Sequence, residues 1–404
     1  MRLCVVLCLV AACGSSDSPP PAEPDAPVSI VLGPLMPQVL AGHPVSVMAT
    51  PTVMPITWDG DANRADIEAF FPQYAASSAW AMQTAEYGIG PLTVAAPQHL
   101  TGTVAATDAE VRSIITANVS GTTPAWGAAN EQTIYSVFLP MGTTFDDGNG
   151  GKCCVEYDGY HDDFTTMGVD ITYAIQCSCT PQFPPGITAL QELTTTASHE
   201  TVEAVTDPRP EQDFAFGEVD PGHSVWAYVT DGELGDLCEF ADTAYWTDAP
   251  NMTYTIQRMW SNAAARAGTD PCVGDPAAAY YQGIPAQPAQ VTIDLFGGQV
   301  TTKAAQVAVG AKGTISVQIA GTEGSGPFTV TAFDVATIYF GAKTPLLTFV
   351  QPTGTFAVNE RVSIGVTVKA KDTSLGVVGA EAFEIDTKPV GGGPTTYFYG
   401  LIAQ

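Results

Sequence analysis

The chain has 404 residues, of which 45% are hydrophobic, and it carries 42 acidic side chains against 14 basic ones. This apolar content suffices for buried cores and excludes a fully disordered protein. The formal net charge of −28 argues against nucleic acid as a partner, because phosphate recognition needs clustered Lys and Arg. No apolar run reaches the roughly 18 residues that a membrane-spanning helix needs.

The charge divides the chain into two unlike parts. Residues 285–404 hold seven basic and eight acidic side chains, whereas residues 1–284 hold seven basic and 34 acidic ones. An anionic body attracts divalent cations or cationic substrates, although adaptation to salty surroundings produces the same composition. The split predicts two domains of different kinds.

The beginning of the chain has the pattern of an export signal. Residues 1–12 hold one Arg and then an apolar stretch that ends directly before Cys13. Such a stretch followed by small residues is typical of a cleaved signal peptide, and Cys13 resembles the lipidated cysteine of bacterial lipoproteins. An ordinary secretory signal with a chance cysteine is the alternative.

Residues 13–29 are rich in Pro and Ser and predict an extended tether, because they cannot bury a core. Gly14, rather than Asp, after the cysteine favours sorting to an outer membrane. We therefore expect an exported outer-membrane lipoprotein, periplasmic or at the cell surface. Its contact with the membrane is expected through the lipid anchor only, and the oligomeric state stays open.

Residues 30–275 predict an α+β domain of about 250 residues. Residues 53–58, 134–139 and 169–175 have the apolar patterns of strands, and a Gly- and Asp-rich loop is expected around 148–151 and 158–161. Helices are expected at 62–86 with a break or kink at Pro72, from Thr107 onward behind a capping-box spacing, at 187–206 and at 251–266.

The remainder of the chain changes to a strand-rich pattern. Residues 276–288 contain three prolines and are expected to be a linker. Residues 289–404 then predict an all-β, immunoglobulin-like sandwich, because short strand patterns alternate with turn residues and no helix pattern lies between them. The predicted strands are 291–296, 313–319, 328–333, 362–368 and 396–399.

Six cysteines beyond Cys13 predict up to three disulfides in an oxidising compartment. Neighbouring residues on a strand point to opposite faces, so Cys153 and Cys154 should have separate partners. We expect this pair to bond with Cys177 and Cys179, and Cys238 to bond with Cys272. A metal cluster is the alternative, although the spacing lacks the CxxC pairs of structural zinc sites.

One predicted helix carries residues suited to metal chemistry. His199 and Glu203 lie one turn apart and share a helix face, and Glu200 lies about 100° further round. In HExxH zinc peptidases the first and last residues hold the metal and the intervening Glu handles the attacking water. Glu in the last position lowers the Lewis acidity of a bound metal and widens the choice from zinc towards manganese or calcium.

The third ligand must come from another segment. Glu233 is the expected one, with Asp207 and Asp236 placed to orient the ligands. His223 is the rival ligand, and His161 is a candidate ligand or transition-state donor. A separate calcium site at Asp146 and Asp147 is the alternative use of the glycine-rich loop, although its spacing does not match the EF-hand.

Two segments resemble the secreted Exordium-like, phosphate-induced protein family and its bacterial relatives. Residues 199–208 give His-Glu-x-x-Glu-x-x-Thr-Asp-Pro, and residues 232–238 give Gly-Glu-Leu-Gly-Asp-Leu-Cys. The Tyr160-His161 segment and residues 256–262 are similar to other blocks of that family. The resemblance covers about residues 50–275 and not the sandwich. It implies a zincin-like metal-dependent hydrolase.

The sequence therefore predicts a surface-anchored zinc-dependent hydrolase, with a peptide or protein as substrate. His199, Glu203 and Glu233 would hold the metal, and Glu200 would act as general base. A non-catalytic adhesion or binding protein, in which the same acids hold a structural cation or nothing, is the alternative. Whether the acids converge on one point of a cleft distinguishes the two.

Overall fold

The computed structural model describes residues 35–42, 46–181, 186–210, 214–274, 279–295, 298–322, 324–370 and 377–404. The predicted signal peptide, the tether and Cys13 lie outside these ranges. None of the described helices is both long and apolar enough to cross a membrane.

The part of the chain up to residue 274 mixes short strands with helices. Its helices are α1 (Arg64–Ala76), α2 (Ser78–Thr84), α3 (Asp108–Val119), α4 (Ala189–Thr206), α5 (Ser224–Thr230), α6 (Asp236–Glu239) and α7 (Asn262–Ala267). Its strands are β1 (Val39–Leu40), β2 (Thr52–Trp58), β3 (Thr93–Val94), β4 (Gln98–Leu100), β5 (Thr133–Leu139), β6 (Gly159–Thr166), β7 (Val169–Cys177), β8 (Glu218–Val219), β9 (Tyr245–Trp246), β10 (Ile256–Gln257), β11 (Met259–Trp260) and β12 (Cys272–Val273).

A six-stranded sheet is the base of this part. Its order is β3-β2-β5-β7-β6, with β4 also paired to β2. Strands β2, β5 and β7 are parallel, and β6 runs antiparallel along the edge of β7. Every residue of β5 is buried, as expected for a central parallel strand covered on both faces. Helix α4 packs against β5, β6 and β7, which places it beside the antiparallel edge strand.

Three local expectations for this part are wrong. The helical break expected at Pro72 lies instead at Ser77, between α1 and α2, and Pro72 is inside α1. The hydroxyl of Ser77 accepts a hydrogen bond from the amide of Ala79. The expected loop at 158–161 belongs largely to strand β6, because the segment pairs with β7. The expected helix at 251–266 consists of β10, β11 and then α7, which begins only after the Ser261 cap. The predicted strands and the helix at 187–206 are present.

The second part is built from two sheets. Its elements are β13 (Tyr281–Pro285), β14 (Ala289–Leu295), β15 (Gly298–Gln306), β16 (Lys312–Gly321), β17 (Phe328–Asp334), α8 (Val335–Ile338), β18 (Leu347–Val350), β19 (Arg361–Val368), β20 (Val377–Val378), β21 (Ala380–Pro389) and β22 (Thr396–Ala403). The sheet orders are β13-β16-β19-β18 and β17-β21-β22-β15-β14-β20. Buried side chains from both sheets, such as Val317, Ile364 and Ile385, form one core.

The expected linker is part of this second fold. Within residues 276–288, strand β13 is buried along its whole length and pairs with β16. The strand-rich part therefore begins earlier than the proline pattern predicts.

The two parts share a hydrophobic core. The indole of Trp226 on α5 lies 5.7 Å from the ring of Tyr397 and 4.9 Å from that of Tyr399, both on β22. The hydroxyl of Tyr397 donates to the carbonyl of Leu237, directly after Asp236. The second part therefore supports the segment that carries candidate site residues.

Three disulfides confirm the predicted pairing of the cysteines. Cys153 bonds with Cys177, Cys154 with Cys179, and Cys238 with Cys272. The first two bonds fix the loop before β6 to the end of β7. The third joins α6 to β12.

We expect the Cys238→Ala/Cys272→Ala double variant to unfold more easily than the wild type. The bond spans 34 residues, and closing a loop of this size restricts the unfolded chain by about 2–4 kcal/mol. Guanidinium denaturation followed by tryptophan fluorescence measures the change in the free energy of unfolding. An unchanged free energy of unfolding would contradict a structural role for this bond.

Candidate metal centre

Helix α4 places the candidate residues because it is buried along most of its length. A capping box begins it: the hydroxyl of Thr188 accepts from the amide of Gln191, and the Gln191 side chain accepts from the amide of Thr188. The helix ends at Thr206, where Asp207 and Pro208 follow. Buried polar side chains on such a helix need partners of their own.

The ring of His199 is held in one orientation by Gln257 on β10. Nδ1 of His199 lies 2.9 Å from Oε1 of Gln257, while the Gln257 amide nitrogen donates to the carbonyl of Gly235 at 2.7 Å. Because that amide must donate to a carbonyl, its oxygen faces the histidine and Nδ1 carries the proton. Nε2 of His199 is thereby left as a ligand atom, directed at carboxylates.

The carboxylate of Glu203 lies at the centre of the site. Its Oε1 accepts hydrogen bonds from the backbone amides of Gly235 at 2.9 Å and Asp236 at 3.2 Å. Its Oε2 lies 2.8 Å from Nε2 of His199 and 3.8 Å from Nδ1 of His161. One oxygen is therefore fixed by the backbone, and the other faces both histidines.

Asp236 completes the group on this side of Glu203. Its Oδ1 lies 3.5 Å from Nε2 of His199, and one ligand atom from each of His199, Glu203 and Asp236 lies within 4.8 Å of the other two. Such a set can hold a metal ion. Asp236 is thus a candidate ligand rather than only an orienting residue.

Glu233, the expected third ligand, lies outside this group. Its Oε1 is 3.5 Å from Nε2 of His161, and its backbone amide donates to Oδ2 of Asp236 at 3.2 Å. The structure therefore brings Asp236, and not Glu233, to the two helix ligands.

His161 forms a second group with the helix acids. Its Nε2 lies 3.0 Å from the carbonyl of Asp207 and donates to it, since a carbonyl only accepts. Nδ1 then faces Glu200 at 3.6 Å and Glu203 at 3.8 Å. These three buried residues also have ligand atoms within 4.8 Å of one another. Strand β6 thus brings His161 to the general-base candidate.

Two other expected residues have structural partners. The carboxylate of Asp207 accepts from the amide of Ala215 at 2.8 Å, and its carbonyl accepts from Nε2 of His161. His223 lies elsewhere, with Nδ1 2.9 Å from Asp220 and Nε2 3.0 Å from the carbonyl of Leu35. Both ring nitrogens of His223 are therefore engaged, and it is not a ligand here.

Asp146 and Asp147, the alternative calcium site, accept hydrogen bonds from backbone amides of their own loop. Oδ1 of Asp146 accepts from the amide of Gly148, and Oδ1 of Asp147 accepts from the amides of Asn149, Gly150 and Gly151. These side chains stabilise the glycine-rich loop as Asx turns.

A cleft of about 390 Å³ opens over the group of His199 and Asp236, and we call it the acidic cleft. None of the described residues that line it is Lys or Arg. Its acidic lining residues are Glu156, Asp158, Glu192, Glu200, Asp231, Asp236 and Glu239. Negative charge is therefore concentrated at the opening to the candidate ligands.

The buried acids of the site have perturbed proton affinities. Burial and the charge of Asp236 raise the pKa of Glu203 to about 7, against the effect of His199. Burial likewise raises the pKa of Glu192 to about 7. Burial alone would lower the pKa of His199, but the carboxylates of Glu203 and Asp236 hold that pKa well above its usual range. A bound cation would remove the repulsion among these carboxylates.

Sequence reasoning missed Gln257 and the ligand position of Asp236. Gln257 sits in a segment that was expected to be helical, where its alignment with His199 could not be seen. The Gly-Glu-Leu-Gly-Asp segment did indicate an acidic ligand, because Glu233 and Asp236 were both candidates there.

The chain matches no protein-family model and no curated protein sequence.

We expect Gln257→Leu to weaken metal binding roughly 10- to 100-fold, the usual effect of losing a partner that orients a histidine ligand. The leucine keeps the size of the side chain but leaves Nδ1 of His199 without its acceptor. Competition titration against a chromophoric chelator measures the affinity. Gln98→Leu, far from the site, is the matched control, and equal affinities of the two variants would contradict the role of Gln257.

We expect the metal-free protein to lose thermal stability as the pH rises. Glu203 and Glu192 have pKa values near 7 in the folded chain against 4.5 as reference, so folding is favoured where they are protonated and is opposed once they ionise. The melting temperature should fall by several degrees between about pH 5 and about pH 8. Glu192→Gln should flatten this profile, and a melting temperature that rises with pH would contradict the argument.

Proposed function

We propose that the protein is a metal-dependent hydrolase, and more specifically a peptidase. One observation carries the proposal: His199, Glu203 and Asp236 converge below a cleft, with Glu200 one residue from the histidine and facing the same cleft. Zinc peptidases combine His and Glu ligands with a carboxylate base, and here acids take all the ligand positions but one. The resemblance of residues 199–208 and 232–238 to the Exordium-like family supports the same class.

The donor atoms favour a transition metal over calcium. One imidazole nitrogen and two carboxylates suit zinc or manganese, whereas calcium takes six to eight oxygen ligands. His199 is suited to this role because Gln257 holds the proton on Nδ1 and leaves Nε2, which faces Glu203 and Asp236, as the ligand atom. When bound, zinc would supply Lewis acidity towards a carbonyl oxygen and a water molecule.

The side chain of Glu200 is suited to act as general base. It lines the acidic cleft and is only 5% exposed, which strengthens its interactions with a bound water and substrate. Glu200 accepts a proton from the attacking water and passes it to the leaving amine. The Nδ1 atom of His161 lies 3.6 Å from Glu200. A protonated His161 therefore stabilises the ionised carboxylate of Glu200.

Charge supports a peptide or protein substrate with basic groups. The acidic cleft has no lining Lys or Arg among the described residues, so an anionic substrate would be repelled and a cationic one attracted. Oppositely charged partners also associate faster at low ionic strength.

The proposal extends to the architecture and location of the protein. We assign a zincin-like fold to the first part, because a helix with ligands lies beside an antiparallel edge strand, and an immunoglobulin-like fold to the two-sheet second part. The lipoprotein pattern at Cys13 and the three disulfides support an exported, outer-membrane-anchored protein.

Metal analysis of the purified protein by mass spectrometry tests the proposal. We expect about one zinc or manganese per chain in the wild type, and a loss of that metal in His199→Ala, which removes a ligand. His99→Ala is the matched control, because His99 pairs with Glu68 outside the site. The Glu200→Gln variant should keep the metal and lose about 10²- to 10⁴-fold in hydrolysis of basic peptides.

The outcomes separate the two functional classes. A metal that is bound and lost with His199, together with no hydrolysis of a peptide library, would favour a binding protein with a structural cation. No metal in the wild type after refolding with zinc or manganese would contradict the metallohydrolase.

A further inference from the structure

A second set of metal-ligating side chains shares one residue with the proposed metal centre. It consists of His161 on β6 and of Glu200 and Glu203 on α4, and we call it the inner group. Its side chains are only 3% to 6% exposed. The proposed metal centre of His199, Glu203 and Asp236 is the outer group. Oε2 of Glu203 faces both histidines and therefore belongs to both groups.

The ring of His161 is oriented as the ring of a metal ligand is. Its Nε2 donates to the backbone carbonyl of Asp207 at 3.0 Å, which leaves Nδ1 as the ligand atom of the neutral ring. Metal-binding histidines usually donate their other ring N–H to a carbonyl or carboxylate in this way. His199 is held by the same device, with Gln257 as the acceptor. Both histidines thus direct a ligand nitrogen at Glu203.

The separations within the inner group fit a shared cation better than hydrogen bonds. Nδ1 of His161 lies 3.6 Å from Oε2 of Glu200 and 3.8 Å from Oε2 of Glu203. Both separations exceed the hydrogen-bond range. Two ligand atoms of a tetrahedral zinc ion, each about 2.0–2.2 Å from the metal, lie about 3.3–3.6 Å apart. An ion between the three side chains therefore suits the observed spacing.

The charge of the site favours a second cation. One divalent ion in the outer group compensates two carboxylates, those of Glu203 and Asp236, and leaves Glu200 uncompensated. No Lys or Arg lines the acidic cleft among the described residues, and Glu200 itself lines it. An ion can therefore reach the inner group from the cleft. Repulsion from the first ion makes the second one bind more weakly, so it binds only when the metal is in excess.

We propose that a second zinc ion binds to His161, Glu200 and Glu203 and inhibits the protein. This inference rests on the proposed function, because it assumes a first ion in the outer group and Glu200 as the general base. A carboxylate that ligates the second ion cannot accept a proton from the attacking water. Free zinc above the first equivalent would therefore switch the hydrolase off. Two ions that share ligands in this way lie about 3.5–4 Å apart in known two-metal sites.

Zinc stoichiometry of the full chain tests the second site without reference to hydrolysis. In a competition titration against a chromophoric chelator, we expect two zinc ions per wild-type chain, the second one weaker. His161→Phe removes the ligand nitrogens at similar size, and Glu200→Gln removes a charged ligand, so each variant should bind only the first ion. His99→Phe is the matched control and should bind two, because His99 pairs with Glu68 outside the site.

Hydrolysis of a basic peptide tests the inhibition. The wild-type rate should fall as free zinc rises beyond the first equivalent, by up to about 10²- to 10⁴-fold at saturation, which is the usual contribution of a general base. His161→Phe should show no such fall relative to its own rate at one equivalent. His99→Phe should be inhibited like the wild type.

Three results would overturn the proposal. The wild type binds one zinc ion even in excess zinc, the second ion persists in both His161→Phe and Glu200→Gln, or the second ion binds and leaves hydrolysis unchanged. None of these results affects the metallohydrolase proposal, which needs only the ion that is lost in His199→Ala. The absence of any bound zinc would contradict both proposals.

Discussion

The structure depends on one electrostatic constraint: several carboxylates lie in or beside the buried helix α4, and no Lys or Arg lines their cleft within the described chain. Glu203, 2% exposed, has one oxygen held by two backbone amides and the other between two histidines. Burying such charges without compensation is costly. Protons on the raised-pKa groups can supply the compensation, and so can a cation. Binding of the proposed metal would replace these protons by a cation.

The scaffold positions these groups through close backbone approach. Gly235 is required because a Cβ there would lie 2.7 Å from both Oε1 of Glu203 and Nδ1 of His199. At Gly159 a Cβ would lie 2.9 Å from Oε1 of Glu200. The backbones of strand β6 and of the loop before α6 therefore pack closely against the side chains of α4. The Cys238–Cys272 disulfide and Tyr397 hold the second of these segments in place.

The sequence predicted what depends on local spacing and missed what depends on tertiary pairing. One turn of helix places Glu203 beside His199, and the separate partners of Cys153 and Cys154 followed from the alternation of neighbouring side chains. The choice between Glu233 and Asp236 depends on how a loop turns, which spacing does not determine. The loop expected at His161 is a strand because β7 pairs with it, and the helix expected at 251–266 yields to short strand pairs. In both cases tertiary contacts override the local pattern.

Two short segments connect the acidic cleft with a second cleft, which lies where the two parts of the chain meet. Gln257 lines the acidic cleft and orients His199, while the next residue, Arg258, lines the second cleft. Asp236 and Leu237 are divided in the same way. Successive side chains on an extended segment point to opposite sides, which explains the first pair. A shift of Arg258 in the second cleft would therefore also move the backbone of Gln257, so the two clefts share structural support.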